Sequence, residues 1–407
     1  MIRMRQVFDK EILGKITYLS GSADVVEQMG ATAARKPFDQ GILEFLHDLS
    51  KRLMSDPEAR KYSDVLTFAF WIRKSSTEKM RQRFERNDGN IRLGRGIAFH
   101  IAPSNVAVNF AYSLAMGLLT GNANVVRVPS KDFAQTDIIC EAIEETVECH
   151  KAIRSYIALV KYERDTDIND MLSHIADIRI VWGGDGTIEE LRRSKLPPRS
   201  MEITFADRYS FAVIDSDTYM AMEDKNKAAE DFYNDTYFSD QNACTSPRVV
   251  VWMGGRKEEA KEQFWQRLHK LVKKKYMFQD IQGINKLTSS YKAAVREPGI
   301  RVEDHEDNLI IRVLTPKVSN GVMELKDNSG YFFEYDCDNV MELKPLCNDK
   351  RCQTIGMIGD REILRPLLTS GIKGVDRVVP IGKTMDFDLI WDGYELVSQM
   401  TRTIAGF

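Results

Sequence analysis

The chain has 407 residues, of which 43 % are hydrophobic and 29 % charged. That balance excludes disorder, and 25 glycines with 12 prolines exclude a collagen-like or low-complexity polymer. A formal charge of −3, from 57 basic and 60 acidic residues, gives no global pull toward nucleic acid or an anionic membrane.

The length allows two domains, or three small ones, each able to bury a core. The N-terminus, Met1 to Asp9, carries charges where a signal peptide needs an apolar stretch. The first ~90 residues read as helical, with Ile42, Phe45, Leu46, Leu49 and Leu53 at helical spacing. A second apolar stretch runs from Val65 to Ile72, and polar turn signals follow at 87–90 and 94–96.

From residue 97 strands alternate with helices. Strands are predicted at 97–101, 124–128, 156–160, 178–182 and 211–215. Helices are predicted at 106–119, around 138–147, at 167–175 and at 187–193. Val106 to Leu119 is the most apolar segment, but it is shorter than the ~20 residues of a spanning helix and reads as a buried one. A strand at 248–253 and an amphipathic helix at 258–276 follow. This alternation argues for βαβ units, parallel sheets and an α/β fold. A domain boundary is placed near residue 236, between two α/β runs.

Four segments carry chemistry. In the run from Phe238 to Arg248, Cys244 sits in a polar, small-residue turn before an apolar strand. Such a turn leaves a thiol reachable and backbone N–H groups free, which a nucleophile needs; the alternative is a buried cysteine acting as a small hydrophobe. In His100 to Val106, Asn105 follows a strand and precedes a helix. Its amide could donate to an oxyanion at the sheet's carboxyl edge, or it could cap the helix. Gly183 and Gly184 form a turn between strand and helix, suited to phosphate or to a plain βα connection. Arg127, Ser130 and Lys131 end another strand and offer a hydroxyl and cations for a cofactor ribose or phosphate, or ordinary loop chemistry.

No metal spacing is seen: Cys347 and Cys352 have no nearby histidine, and there is no H-E-x-x-H. The G-x-S-x-G elbow of serine hydrolases is also missing. Six cysteines are too sparse for a disulfide framework, which fits a soluble protein of the reducing cytoplasm.

Together, segments 96–106, 121–127, 182–186, 241–247 and 379–394 resemble the aldehyde dehydrogenase superfamily. More closely, they resemble the LuxC-type fatty acyl-CoA reductases of bacterial bioluminescence. The cysteine segment and Ile390-Trp-Asp-Gly-Tyr394 are the specific ones. The resemblance implies an α/β aldehyde-dehydrogenase-like fold. A Rossmann-like cofactor domain would occupy residues 1–235 and a catalytic domain 236–364, with 365–407 returning to the domain interface.

It further implies that Cys244 is the nucleophile, Asn105 the oxyanion donor and Gln241 a shaper of the cysteine loop. Gly183 and Gly184 would approach the cofactor pyrophosphate, with Arg127, Ser130 and Lys131 near its ribose. The lysine that precedes the ribose-strand proline in many of these enzymes is Val128 here. The Glu-Leu-Gly-Gly-Lys segment of the oxidising enzymes has Glu202-Ile-Thr-Phe-Ala206 as its nearest counterpart, 244 − 202 = 42 residues before the cysteine.

The expected function is reduction of an acyl thioester on Cys244 to an aldehyde. NADPH is the expected reductant, NADH being the other possibility. Expected partners are acyl-CoA or another acyl thioester, an acyl-activating protein, and further copies of the chain in a homo-oligomer. Competing readings are an oxidative aldehyde or semialdehyde dehydrogenase, and a non-redox acyl carrier.

Overall fold

The computed structural model describes residues 8–303 and 307–406, so the charged residues 1–7 of the N-terminal reading lie outside the described residues. The chain divides into two compact units, residues 1–206 with 394–407, and residues 207–393.

The first unit opens with α1 (Lys10–Gly14), β1 (Thr17–Ser20), α2 (Ala23–Gln28), α3 (Gln40–Ser55), α4 (Ser63–Trp71) and α5 (Lys74–Phe84). The five apolar residues expected on one helical face all lie buried on α3, whose N-cap Asp39 accepts from the Gly41 N–H at 3.1 Å. The alternation then runs β2 (Ile91–Gly94), β3 (Ile97–Ile101), α6 (Asn109–Leu119), β4 (Ala123–Arg127), α7 (Ala134–Cys149), β5 (Ile157–Lys161), α8 (Thr166–Ile175), β6 (Ile178–Trp182), α9 (Asp185–Leu191) and β7 (Met201–Phe205).

Six strands form one sheet in the order β1-β5-β4-β3-β6-β7. β1 is antiparallel to β5, and the remaining neighbours are parallel. All five residues of β3 and of β6 are buried, as expected where helices cover both faces. The chain reverses its lateral direction at β3, with β4 and β5 to one side and β6 and β7 to the other. Ligands of open α/β sheets bind outside the carboxyl ends at such a switch point.

A buried polar chain fixes β3 against its neighbours. Asn124 Nδ2 donates to the carbonyls of Asn122 and Tyr156, so its Oδ1 accepts from His100 Nε2 at 3.0 Å. His100 Nδ1 then accepts from the Ser113 hydroxyl at 2.7 Å, and Ser113 accepts from Trp182 Nε1 at 3.0 Å. Burial pushes the His100 imidazole down to about 4, which keeps this tautomer neutral.

The second unit comprises β8 (Tyr209–Asp215), α10 (Ser216–Ala221), α11 (Lys225–Asp235), β9 (Pro247–Met253), α12 (Lys257–Lys275), α13 (Asp280–Arg296), β10 (Arg301–Val302), β11 (Ile311–Leu314), β12 (Tyr331–Asp336), β13 (Cys352–Ile358) and β14 (Arg377–Pro380). Its seven strands run in the order β10-β11-β12-β9-β8-β13-β14. Only the β10–β11 pair in this sheet is antiparallel. Alternate residues feed two cores: Phe211, Val213, Val249 and Val251 face one side, and Ala212, Ile214, Val250 and Trp252 the other.

The boundary therefore falls after Ala206, not at residue 235. β8 was grouped with the first run because the βα alternation passes through it unbroken. Its hydrogen bonds, however, go to β9 and β13. The C-terminal return is also narrower than residues 365–407. Residues 365–393 stay with the second unit, while Thr401–Ile404 pairs antiparallel with β2 in the first.

Candidate active site

Cys244 lies in the loop that joins α11 to the amino end of β9, a central strand of the second sheet. The loop turns on two consecutive left-handed residues, Asp240 (φ 51°) and Gln241 (φ 55°). Such backbone is costly for non-glycine residues and persists only where the surroundings hold it.

The Gln241 side chain supplies that hold. It is fully buried and makes four hydrogen bonds. Its Nε2 donates to the carbonyls of Pro247 (3.1 Å) and Tyr331 (3.3 Å), and its Oε1 accepts from the N–H groups of Gly330 (2.7 Å) and Tyr331 (3.1 Å). The amide thus ties the loop to the starts of β9 and β12 at once. Arg248 clamps the same loop from below. Its guanidinium donates to the carbonyl of Gln241, to Asn328 Oδ1 and, at 2.7 Å, to the carbonyl of Asp327. Burial pushes Arg248 down to about 10.

The cysteine itself is half-buried and free. Burial raises its thiol above the ordinary 9.0, and the charges of Asp392 and Asp207 add to that. The Arg208 N–H bonds to the sulfur and, with Lys326, acts in the opposite direction. The Ser210 hydroxyl, at the start of β8, donates to the Cys244 carbonyl at 2.8 Å. Gln353, at the start of β13, bonds to Ser210 and to Asp392. The centre is assembled from the amino ends of four adjacent strands, β12, β9, β8 and β13.

The Ile390-Trp-Asp-Gly segment closes this arrangement within the second unit. Asp392 (φ 49°) and Gly393 (φ 77°) form a left-handed turn, and the Arg377 guanidinium stacks 4.2 Å from the Trp391 ring. Thr245 Oγ1 lies 3.1 Å from Met385 Sδ, which links the cysteine loop to residues 382–393. The buried Asp235 carboxylate accepts from the N–H groups of Gly382 (2.6 Å) and Thr384 (3.1 Å).

In the first unit, Asn105 is exposed in the loop beyond the carboxyl end of β3. It does not cap α6, whose N-cap is Val108. Gly183 and Gly184 lie beyond the carboxyl end of β6, across the switch point from Asn105. A Cβ on Gly183 would meet the Thr187 side chain at 3.3 Å, so glycine lets the turn sit close against α9. Ser130 and Lys131 are exposed just past β4.

Two expected residues are otherwise engaged. The Arg127 guanidinium lies 4.4 Å from the centre of the Tyr162 ring and donates to the Tyr162 carbonyl at 3.1 Å, so its head group is committed within the first unit. Glu202 sits on β7 with both oxygens taken. Arg179 Nε donates to Oε2 at 3.0 Å and Arg192 Nε to Oε1 at 2.7 Å. The two guanidinium groups give Glu202 an ion-pair role on β7.

Pattern reading missed Arg208, Ser210, Lys326 and Gln353, which have no local signature and reach Cys244 only through strand pairing. Asp392 stood inside a segment that carried the resemblance, and Arg248 closed the cysteine run just beyond one. Among the described residues no cluster of three or more His, Cys, Asp or Glu could hold a metal, and no helix is long and apolar enough to cross a membrane.

Solved structures share the fold. A NAD-dependent benzaldehyde dehydrogenase from Corynebacterium glutamicum matches with a TM-score of 0.61 at 14 % identity, over 94 % of this chain and 88 % of that one. An indole-3-acetaldehyde dehydrogenase complexed with NAD+ matches with a TM-score of 0.66 at 11 % identity, over 98 % and 88 %. The architecture is therefore that of the aldehyde dehydrogenases.

Among curated proteins, a long-chain acyl-protein thioester reductase of Photorhabdus luminescens is 25 % identical over 302 residues, 71 % of this chain and 58 % of that protein. One from Vibrio harveyi is 25 % identical over 295 residues, 71 % of this chain and 59 % of that protein. The match spans under two thirds of these relatives' length. A profile of the LuxC acyl-CoA reductases matches residues 72–403, most of the sequence, and the chain belongs to that family.

Proposed function

We propose that the protein is an acyl-thioester reductase that forms an acyl-enzyme on Cys244 and releases an aldehyde. The observation that carries this is the mounting of Cys244: a half-buried free thiol that receives the Arg208 N–H, on a loop locked by Gln241 and Arg248. The Cys244 thiolate attacks the carbonyl of acyl-CoA or another acyl thioester. A new bond forms between the Cys244 sulfur and the acyl carbon, the donor thioester's own carbon–sulfur bond breaks, and the departing thiolate takes up the proton lost from Cys244. One thiolate replaces another, so the exchange is nearly balanced. The Arg208 N–H and Lys326 stabilise the attacking sulfur, while Asp392 and Asp207 keep the resting thiol protonated.

Asn105 is proposed as the side-chain donor to the tetrahedral oxyanion, a contribution of about 2.7–4 kcal/mol to the barrier when such a donor is removed. With Glu202 paired to two arginines, no carboxylate base for hydrolysing the acyl-enzyme is assigned. That favours reduction over oxidative turnover.

A nicotinamide cofactor supplies the hydride that takes the acyl group to the aldehyde level. The first sheet fits such a group. Its switch point is flanked by the Gly183–Gly184 turn, and Ser130 and Lys131 stand exposed beyond β4. These residues would hold the pyrophosphate and ribose side of NADPH, or NADH. An acyl-activating protein is a proposed upstream partner, and the free cysteines suit the reducing cytoplasm.

The test is purified protein with acyl-CoAs of varied chain length and NADPH or NADH, followed at the nicotinamide absorbance with aldehyde trapping. Thioester-dependent oxidation of the cofactor is expected. Acylation of Cys244 with no cofactor oxidation would favour a carrier, and neither reaction with any thioester would overturn the proposal.

A further inference from the structure

One lysine is buried inside the second unit. Lys286, on the inner face of α13, is 1 % exposed. Among the described residues its Nζ meets backbone carbonyls and not a carboxylate. It donates to the carbonyl of Ser329 at 2.8 Å and to that of Asn308, and the centre of the Phe278 ring is 5.0 Å away. Burying an ammonium without an ion pair costs more than burying an apolar side chain of similar size, so packing alone does not account for a lysine here.

Ser329 is where this cation meets the cysteine loop. Ser329 (φ 61°) and Gly330 (φ 91°) are consecutive left-handed residues, as are Asp240 and Gln241. The two turns are joined directly. The Ser329 N–H donates to the Asp240 carbonyl at 3.1 Å, the Gly330 N–H to Gln241 Oε1 at 2.7 Å, and Asn328 Nδ2 to Asn242 Oδ1 at 2.7 Å. From the other side α13 gives a second bond, from the Ser289 hydroxyl to Asp327 Oδ2 at 2.6 Å. Residues 327–330 are thus held between α13 and the cysteine loop. A serine keeps a left-handed backbone only where its surroundings fix it, and the charge-assisted bond to the Ser329 carbonyl does so.

We propose that Lys286 is a positioning residue for acyl transfer: it fixes the 327–330 turn and, through that turn, the geometry of the Cys244 loop. This rests on Cys244 being the acyl nucleophile. Lys286 acts through backbone, so it governs how well the thiolate is aimed and not how much thiolate there is. Burial lowers its ammonium to about 8, against the charges of Asp327 and Asp307. Asp327 is engaged by Ser289, and Asp307 by His269 at 2.8 Å. The other charged residues of 238–248 and 326–330 are Asp240, Arg248 and Lys326, and the Tyr276 hydroxyl donates to Asp240 at 2.5 Å. As Lys286 loses its proton near pH 8, its bonds to the two carbonyls lose their charge assistance.

The experiment compares two rates at Cys244 of the full chain from about pH 7 to 9. Acylation by acyl-CoA needs the loop in register, whereas alkylation by iodoacetamide needs only a reachable thiolate. Their ratio cancels the ionisation of Cys244. In the wild type the ratio should fall about tenfold across pH 8. In Lys286→Met it should be about 30-fold lower at pH 7 and flat with pH, with alkylation within about threefold of wild type. Ser289→Ala and Lys326→Met each leave Lys286 in place and should keep the fall, so the test stands even should Lys286→Met not fold. Hydrogen exchange of peptides 238–248 and 326–331 should quicken in Lys286→Met, with the first unit unchanged. A wild-type ratio constant with pH, a fall that persists in Lys286→Met or vanishes in Lys326→Met, or acylation and alkylation lost in parallel would each overturn the proposal. If no thioester acylates Cys244, the reading of the nucleophile fails instead, and unchanged exchange at 238–248 in Lys286→Met is then the result that overturns the brace.

Discussion

Replacing Gln241 by alanine tests how the cysteine loop is held. The native amide satisfies two buried N–H groups, of Gly330 and Tyr331, and donates to two carbonyls. Alanine leaves all four backbone groups without that partner. Each buried N–H left unpaired costs about 1–3 kcal/mol, so the two together cost about 4 kcal/mol. The left-handed backbone at Asp240 and Gln241 persists with less to hold it. With a urea slope of about 2 kcal/mol per molar, the unfolding midpoint of the second unit should fall by roughly 2 M. Trp252 and Trp265, both buried in that unit, report the transition by fluorescence. In the fraction that remains folded, a loop displaced by about 1 Å should acylate about 100-fold more slowly. A midpoint within about 0.3 M of wild type, with normal acylation, would refute the four-bond account.

Three further outcomes follow from the charges. Iodoacetamide alkylation of Cys244 should have its pH midpoint above 9.0, because burial, Asp392 and Asp207 all raise the thiol; Asp392→Asn should lower that midpoint, and an unchanged one counts against the assignment. Burial holds the Asp235 carboxyl up at about 6 against 3.8. The folded state therefore binds this proton more tightly than the unfolded state. Its stabilising effect is complete below pH 3.8 and lost as pH rises through about 6, a decline of about 3 kcal/mol that urea titrations at pH 4 and 7 should show and Asp235→Asn should flatten. Glu202→Gln strips the carboxylate from the buried Arg179 and should destabilise the first unit by about 3–5 kcal/mol in denaturant unfolding, with the rate per folded molecule unchanged; a selective loss of turnover would restore Glu202 to the chemistry.

Strands buried on both faces were legible in the sequence. Residues 178–182 were placed to the residue, because five apolar or shielded positions stand between polar turns. β7 was missed: Met201-Glu-Ile-Thr-Phe alternates, and its outer position holds Glu202, whose two arginine partners come from β6 and from just past α9. β8 was seen but assigned to the wrong unit, because the alternation of strand and helix does not record which sheet a strand joins. Cys244 was legible from the residue types around it together with the family resemblance. Its surroundings were not. Ser210 and Gln353 are 34 and 109 residues away in sequence, and only the pairing of β9 with β8 and of β8 with β13 brings them to the loop.

The central claim is that Cys244 carries the acyl group. The most direct measurement is intact-protein and peptide mass spectrometry after brief exposure to acyl-CoA without nicotinamide. One acyl adduct should appear on the peptide that contains Cys244, disappear with hydroxylamine or on adding NADPH with release of aldehyde, and be absent from Cys244→Ala. An adduct on another cysteine, such as the exposed Cys149, or undiminished reductase activity in Cys244→Ala, would contradict it.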